Sequence, residues 1–221
     1  MHPSYFYLAT ILLPFLATVV ALLAGGRLRL ACVWGSRLLL GALMLGGGLY
    51  KLSDNHLPGL MGPPMDHAFL ARHQLELFAR FIGMAQLLIG LLLLTGRFAL
   101  LGALLLVPMW LNIIFLTWSQ NWLGTPLLTT GFLVLTVGLL LHDYQRLKLL
   151  FYPPQQTEEL RALPLRTAGL GPEIFWWLAL GITLGGALLY PISLGVMVGV
   201  MALGGVLLLV GTWWSWRRSR P

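Results

Sequence analysis

Long apolar runs, separated by short polar or glycine- and proline-rich stretches, recur along the whole chain. A helix rises about 1.5 Å per residue, so roughly 20 apolar residues cross a hydrocarbon core of about 30 Å. Seven runs approach this length: residues 5–23, 32–50, 78–95, 98–117, 127–141, 172–189 and 192–214. The pattern predicts an all-α polytopic membrane protein with seven transmembrane helices.

The third predicted helix carries a polar trail inward from one end. We expect it to begin near His67 and to enter the bilayer around Phe78. Glu76 and Arg80 stand four residues apart, hence on one helical face, and Gln86 follows one to two turns deeper. Ionisable residues within a membrane are costly and usually mark a functional site or a pair. We therefore expect Glu76 to be the partner of Arg80.

Composition supports the membrane class and limits the chemistry. Of the 221 residues, 58% are apolar and only 10% are charged, which is typical of membrane spans rather than of a soluble domain. The net charge of +7 comes from basic residues scattered between apolar runs, so no nucleic-acid surface is predicted. The single cysteine, Cys32, excludes an internal disulfide and a thiolate cluster. No HxxxH or HxH spacing is present, and no metal site is predicted.

The basic residues predict an orientation. Cytoplasmic loops of membrane proteins are enriched in Lys and Arg. With the N-terminus outside, the cytoplasmic segments collect ten of the 14 Lys and Arg residues, namely Arg27, Arg29, Arg97, Arg146, Lys148, Arg161, Arg166, Arg217, Arg218 and Arg220. We therefore expect a protein of the cytoplasmic (inner) membrane, with its C-terminus in the cytoplasm.

The same topology gathers polar residues toward the outer face. Lys51 ends the second helix, and Glu76 and Arg80 begin the third. Asn112 lies in the outer part of the fourth helix, at a depth where it is expected to meet Gln86. These residues are candidate ligand-binding groups. The alternative is that they are ordinary loop charges with one ion pair on a helix surface.

Arg37 is a separate candidate inside the second span, near its predicted cytoplasmic end. Arginine within a span needs a partner or access to the membrane surface. Asp143, at the cytoplasmic end of the fifth helix, has a suitable depth to pair with it. Arg37 is thus either a ligand-binding residue or an anchor for the second helix.

Several short motifs resemble the DoxX-like family. The sequence RLLLG at 37–41, followed by GGGLYK at 46–51, resembles the first core helix of that family, which pairs an arginine near its start with glycines and a lysine at its end. The stretch from IG at 82–83 to LLLLTGRFALLG at 91–102 resembles its second and third helices. The resemblance implies a four-helix DoxX-like core at residues 31–153, after an N-terminal transmembrane helix at 1–30. A cytoplasmic linker is expected at 154–171, and a C-terminal transmembrane hairpin with a basic tail at 172–221.

The resemblance also implies a redox-associated role. The family is similar to the small membrane subunit of thiosulfate:quinone oxidoreductase, and Arg37, Lys51 and Gln86 are the positions that carry over. Gln86 stands where members often carry glutamate. The expected function is a quinone-linked accessory subunit, with quinone as candidate cofactor and a redox or extracytoplasmic protein as partner. Two alternatives stay open: a small-solute transporter that uses Arg80, Gln86 and Asn112, and a membrane scaffold for an extracytoplasmic partner.

Glycines predict where helices pack closely. Gly181 and Gly185 in the sixth helix, and Gly195 and Gly199 in the seventh, are small-xxx-small pairs. Such pairs let helix backbones approach each other in lipid. We expect the last two helices to form a tight hairpin on these glycines, and residues 46–48 to pack the second helix against the third.

Overall fold

The computed structural model of the protein describes residues 3–23, 25–57, 67–122, 124–151 and 170–218. Within these residues it is all helical, with nine helices and no strand. In chain order they are α1 (Pro3–Leu23), α2 (Gly26–Leu52), α3 (His67–Arg72), α4 (Glu76–Thr95), α5 (Ala99–Ser119), α6 (Thr125–His142), α7 (Tyr144–Phe151), α8 (Leu170–Ala187) and α9 (Leu194–Arg218). Each of the seven predicted spans is therefore helical.

Five of these helices are long and apolar enough to cross a membrane. By length and composition they are α2, α4, α5, α6 and α9, and they make the chain a multi-pass membrane protein. The transmembrane placement of α1 and α8, and with it the count of seven, stays a prediction.

The prediction for the third helix is wrong in one respect, because this segment of the chain forms two helices rather than one. The short helix α3 ends at Arg72, and α4 begins at Glu76. Between them Gln74 adopts a left-handed backbone, with φ of 54°. The amide of Leu75 donates to the carbonyl of Leu70, and that of Gln74 to the carbonyl of Ala71. This is the hydrogen-bond pattern that ends a helix through a left-handed residue. The sequence offers little warning, since such a residue is usually glycine or asparagine.

Another helix was not predicted. The polar segment after the fifth span contains α7 at its start. Its first residues are tied to the end of α6, since the backbone amides of Arg146 and Leu147 both donate to the carbonyl of Asp143. The helix lies within the predicted core at 31–153. The predicted linker at 154–171 lies outside the described residues up to residue 169, as does the end of the basic tail beyond residue 218.

The chain divides into two compact units. Unit 1 is Met1–Gly41 with Leu92–Ala162, and unit 2 is Ala42–Leu91 with Leu163–Pro221. The boundaries fall within α2 and α4, so each of these helices contributes a part to both units.

In unit 1, α6 packs against both α1 and α5. Gly131 brings α6 against α1 at Pro14, a residue that cannot donate a backbone hydrogen bond within its own helix. On the α5 side, the indole of Trp110 donates to the hydroxyl of Thr136 at 3.1 Å and lies against Phe132, with ring centroids 5.3 Å apart. A buried indole N–H thus has an acceptor inside the apolar core.

In unit 2, α8 and α9 form the predicted hairpin, but on different glycines. The space around Gly181, Gly185 and Gly199 is open, and a Cβ added at any of them would meet no neighbouring atom within 4 Å. The close contacts instead involve Gly186 against Met201, Gly204 against Thr183, and Gly211 against Phe175. The prediction of a hairpin is confirmed, whereas the glycines proposed for it were wrong. Small-xxx-small spacing does not say which face of a helix meets its neighbour.

A close helix crossing in unit 2 joins α2 and α4. A Cβ at Gly48 would lie 2.7 Å from the carbonyl oxygen of Gly83 and 2.8 Å from the amide nitrogen of Leu87. These are backbone atoms that cannot move aside without displacing α4. A Cβ at Gly83 would in turn lie 3.0 Å from Cγ of Leu52. The prediction that the glycines at 46–48 pack the second helix against the next is confirmed.

We predict that Gly48→Ala destabilises the protein by about 1–3 kcal/mol, because the added methyl forces two backbones apart. Thermal unfolding of the full chain in detergent measures this as a lower Tm. Gly185→Ala is the matched control, since its methyl enters open space and alanine is the better helix former. Equal Tm values for the two variants would contradict the close crossing.

Candidate functional site

Lys51, at the end of α2, is joined to α4 by a hydrogen bond. Its Nζ donates to Oε1 of Gln86 at 3.1 Å. Gln86 is 4% exposed, so its amide lies in the core of unit 2. A buried amide needs a partner, and the lysine supplies one. Because the amide is neutral, the bond satisfies Gln86 without cancelling the positive charge of Lys51.

Glycines make room for this hydrogen bond. A Cβ at Gly47 would lie 3.3 Å from Oε1 of Gln86, the atom that accepts from Lys51. On the opposite helix, a Cβ at Gly83 would lie 3.2 Å from Cβ of Lys51. The GGG sequence of α2 therefore serves both the helix crossing and the polar contact within it.

A cavity of about 250 Å³ lies beside Lys51 in unit 2. Charged residues of both signs line it, together with a tyrosine and apolar side chains from the ends of α2, α3, α4 and α8. The lining residues are Lys51, Leu52, Asp54, Leu70, Glu76, Arg80, Ala187, Leu188, Tyr190 and Pro191. These positions lie at or near helix ends. The cavity thus has charged groups beside an apolar wall, a combination that is common in ligand sites.

Tyr190, which lines the cavity, makes a contact that sequence reasoning missed. The hydroxyl of Tyr190, in the turn between α8 and α9, lies 2.9 Å from Nδ1 of His56, and the two rings are 5.7 Å apart. The same nitrogen lies 3.0 Å from the carbonyl oxygens of Ser53 and Asp54. Tyr190 and His56 are 134 positions apart, and no spacing or motif relates them.

Comparison with known proteins identifies the region that holds most of these residues. The family model DoxX matches residues 31–118, which run from α2 to the end of α5. This part of the chain is DoxX-like. Searches of the curated proteins and of the solved structures gave no match.

The DoxX-like region contains Lys51, Asp54, Glu76, Arg80 and Gln86, whereas the cavity residues from α8 and the following turn lie beyond it. The match confirms the resemblance seen in the sequence, over a shorter stretch. It ends before α6, so the extension of a four-helix DoxX-like core to residue 153 stays a prediction.

The structure brings together four of the six predicted ligand-binding residues. Lys51, Glu76 and Arg80 line the cavity of the DoxX-like region, and Gln86 is bonded to Lys51. The expected ion pair between Glu76 and Arg80 is wrong, since these two described side chains form none; both are exposed. Four-residue spacing places two side chains on one face, but it does not decide that they pair rather than face a cavity.

The other two predicted residues are not among those that line this cavity. Asn112 is exposed on α5 and belongs to unit 1, so its expected meeting with Gln86 stays a prediction. Arg37 also belongs to unit 1, where its guanidinium binds Oδ2 of Asp143 at 3.0 Å, with both side chains 14% exposed. The predicted partner of Arg37 is confirmed, and the ion pair favours a structural role for this arginine.

A second arginine of α2 contacts the residue next to Asp143. The Nε–H of Arg29 donates to Nδ1 of His142 at 3.0 Å. The two contacts connect α2 to consecutive residues at the end of α6. The contact between Arg29 and His142 was not predicted, because in the sequence His142 is an ordinary polar residue at the end of a span.

We predict that Asp143→Asn destabilises the protein by about 3 kcal/mol, because it leaves the guanidinium of Arg37 largely buried without its counter-charge. Adding Arg37→Gln removes the stranded charge and should restore part of the loss. Thermal unfolding of the two single variants and the double variant in detergent gives the coupling between them. Strictly additive losses would show that the ion pair contributes nothing.

A different prediction concerns Gln86, whose amide accepts the hydrogen bond from Lys51. We expect Gln86→Met, of similar length, to destabilise unit 2 by about 1–3 kcal/mol, because the ammonium of Lys51 loses its acceptor. Gln86→Glu retains an acceptor and adds an opposite charge, so it should keep or raise the Tm. The hydrogen bond would be unimportant if Gln86→Met unfolded at the wild-type temperature.

Proposed function

We propose that the protein is a redox-linked accessory subunit of the cytoplasmic membrane that holds a quinone head group in the cavity of unit 2. The observation that carries this proposal is the set of hydrogen-bond donors around that cavity, contributed by Lys51, Arg80 and Tyr190. These three donors come from α2, from α4 and from the turn after α8. Donors on several sides of one cavity suit a ligand with acceptor oxygens on two sides.

The chemistry of the lining fits such a head group. Quinone carbonyl oxygens accept hydrogen bonds, which the ammonium of Lys51 and the guanidinium of Arg80 can donate with the added strength of a charge. Leu52, Leu70 and Leu188 supply the apolar wall that a ring needs. At about 250 Å³ the cavity is near the lower limit of small-molecule sites, about 300 Å³, so it suits a single ring better than a larger ligand.

The neutral amide of Gln86 supports the same assignment. It holds Nζ of Lys51 beside the cavity and adds no negative charge to that of the cavity carboxylates, Asp54 and Glu76. A carboxylate at this position would compete for the charge of Lys51. The site is therefore suited to bind and orient an acceptor oxygen, and the proposal assigns Gln86 a positioning role.

The proposed topology places the cavity on the extracytoplasmic side, since it lies at the end of α2 opposite to Arg27 and Arg29. A quinone supplies the two-electron chemistry when it is bound. Because the chain has one cysteine, we assign the electron donor to a redox protein outside the membrane, the partner in this proposal. The residues of the chain itself bind and orient the head group.

The test is to extract the full chain gently in native lipid and to identify bound molecules by mass spectrometry of the intact complex and of its organic extract. We expect quinone at about one per chain, retained through purification. Lys51→Ala and Arg80→Ala should each weaken quinone binding roughly tenfold or more, the loss expected for one hydrogen bond to a charged group.

Arg72→Ala is the control, since Arg72 is an exposed cation of α3 that does not line the cavity. It should retain quinone as the wild type does. Bulk phospholipid alone in the wild-type extract would contradict the proposal and favour the scaffold alternative. Stabilisation by a small polar solute in place of quinone would instead favour the transporter.

A further inference from the structure

A group of basic residues in unit 1 has no carboxylate to neutralise it among the described residues. Arg27 and Arg29 lie in the first turn of α2, and Arg146 and Lys148 lie in α7. We call these four residues the basic end. Asp143 is the single carboxylate among the described residues of unit 1, and it is bound to Arg37. Among the described residues of unit 1, the basic end therefore carries a positive charge that no further carboxylate offsets.

Arg29 is held in place within this group. Its Nε–H donates to Nδ1 of His142, which requires that this ring nitrogen carry no proton. A neutral imidazole fixes the guanidinium without cancelling its charge. The donors on the two terminal nitrogens make no other hydrogen bond among the described residues. A fixed guanidinium with two adjacent donors matches the geometry of a phosphate group.

The contact with His142 also links the two helices of the basic end. His142 ends α6, and α7 begins two residues later at Tyr144. Arg146 of α7 and both Arg29 and Arg37 of α2 act electrostatically on His142, as does the carboxylate of Asp143. Cations of α2 and α7 therefore lie in one region of unit 1, around His142.

Exposed apolar side chains adjoin these cations. In α2 the basic residues alternate with Leu28 and Leu30, each 55% exposed, and one turn later Trp34 is 42% exposed. The start of a spanning helix lies at the depth of the lipid head groups. Cations at that depth beside exposed leucine and tryptophan complement a phosphate with acyl chains below it. A soluble acidic partner offers no counterpart to the apolar side chains.

We propose that the basic end binds the phosphate of an anionic membrane phospholipid, with Arg29 as the positioned contact and with Arg27, Arg146 and Lys148 around it. This site is independent of the cavity in unit 2 and of its proposed ligand. Under the predicted orientation it faces the cytoplasmic leaflet, in which anionic lipids attract basic segments near the membrane surface.

The test uses the full chain in neutral detergent, titrated with phosphatidylglycerol or with phosphatidylcholine of the same acyl chains. Native mass spectrometry counts the lipids bound to each protein. We expect phosphatidylglycerol to bind more tightly than phosphatidylcholine and to be released as salt is raised. Arg29→Gln and Arg146→Gln should each weaken phosphatidylglycerol binding roughly fivefold, the effect of one cation near an anionic surface.

Arg217→Gln is the matched control, because it removes one cation from the end of α9 in unit 2, where Arg217 lies over the ring of Trp213. It should leave phosphatidylglycerol binding unchanged. Arg146→Gln keeps the test valid if Arg29→Gln fails to fold, since Arg146 is exposed and its side chain makes no hydrogen bond among the described residues.

Three results would overturn the proposal. The first is equal binding of the two lipids by the wild-type protein. The second is an equal loss in Arg146→Gln and Arg217→Gln, which would show a diffuse attraction to total charge. Co-purification of an acidic soluble protein that phosphatidylglycerol does not displace would assign the basic end to that partner instead, and so also count against the lipid.

Discussion

The contact of two helix backbones at Gly48 and Gly83 is the constraint on which the rest of unit 2 depends. In lipid, apolar side chains gain little by leaving one apolar environment for another, so helices associate through close packing and polar contacts. The missing Cβ atoms bring α2 and α4 near enough for Lys51 to reach Gln86. The lysine held at this crossing also lines the cavity of unit 2.

A cation within a spanning helix has a different kind of partner in each of the two units. In unit 1, Arg37 meets a carboxylate, Asp143, and its charge is neutralised within the protein. In unit 2, Lys51 meets an amide, Gln86, and the carboxylates Asp54 and Glu76 line the cavity beside it. The proposed function places a ligand with acceptor oxygens in this cavity of mixed charge.

The sequence alone could predict those residues of the candidate site that are unusual in an apolar helix. Lys51, Glu76, Arg80 and Gln86 stand out because ionisable and amide groups are rare in apolar helices. Asp143 could be assigned to Arg37 because both lie at the same predicted depth. Tyr190 and His56 could not be predicted, because tyrosine and histidine at the ends of apolar helices are common, and their contact joins positions far apart in the chain.

Hydrophobic periodicity and length by themselves determined the helical class, the membrane setting and the approximate bounds of the helices, because a bilayer forces each backbone to satisfy its hydrogen bonds within an apolar run of limited length. Only the tertiary structure decided which glycines are contacts. Gly186 and Gly204 touch their neighbours whereas Gly181 and Gly199 do not, since contact depends on how each helix is rotated about its axis. The spacing of Glu76 and Arg80 on α4 likewise permitted an ion pair, but only the tertiary structure showed that both line the cavity of unit 2 instead.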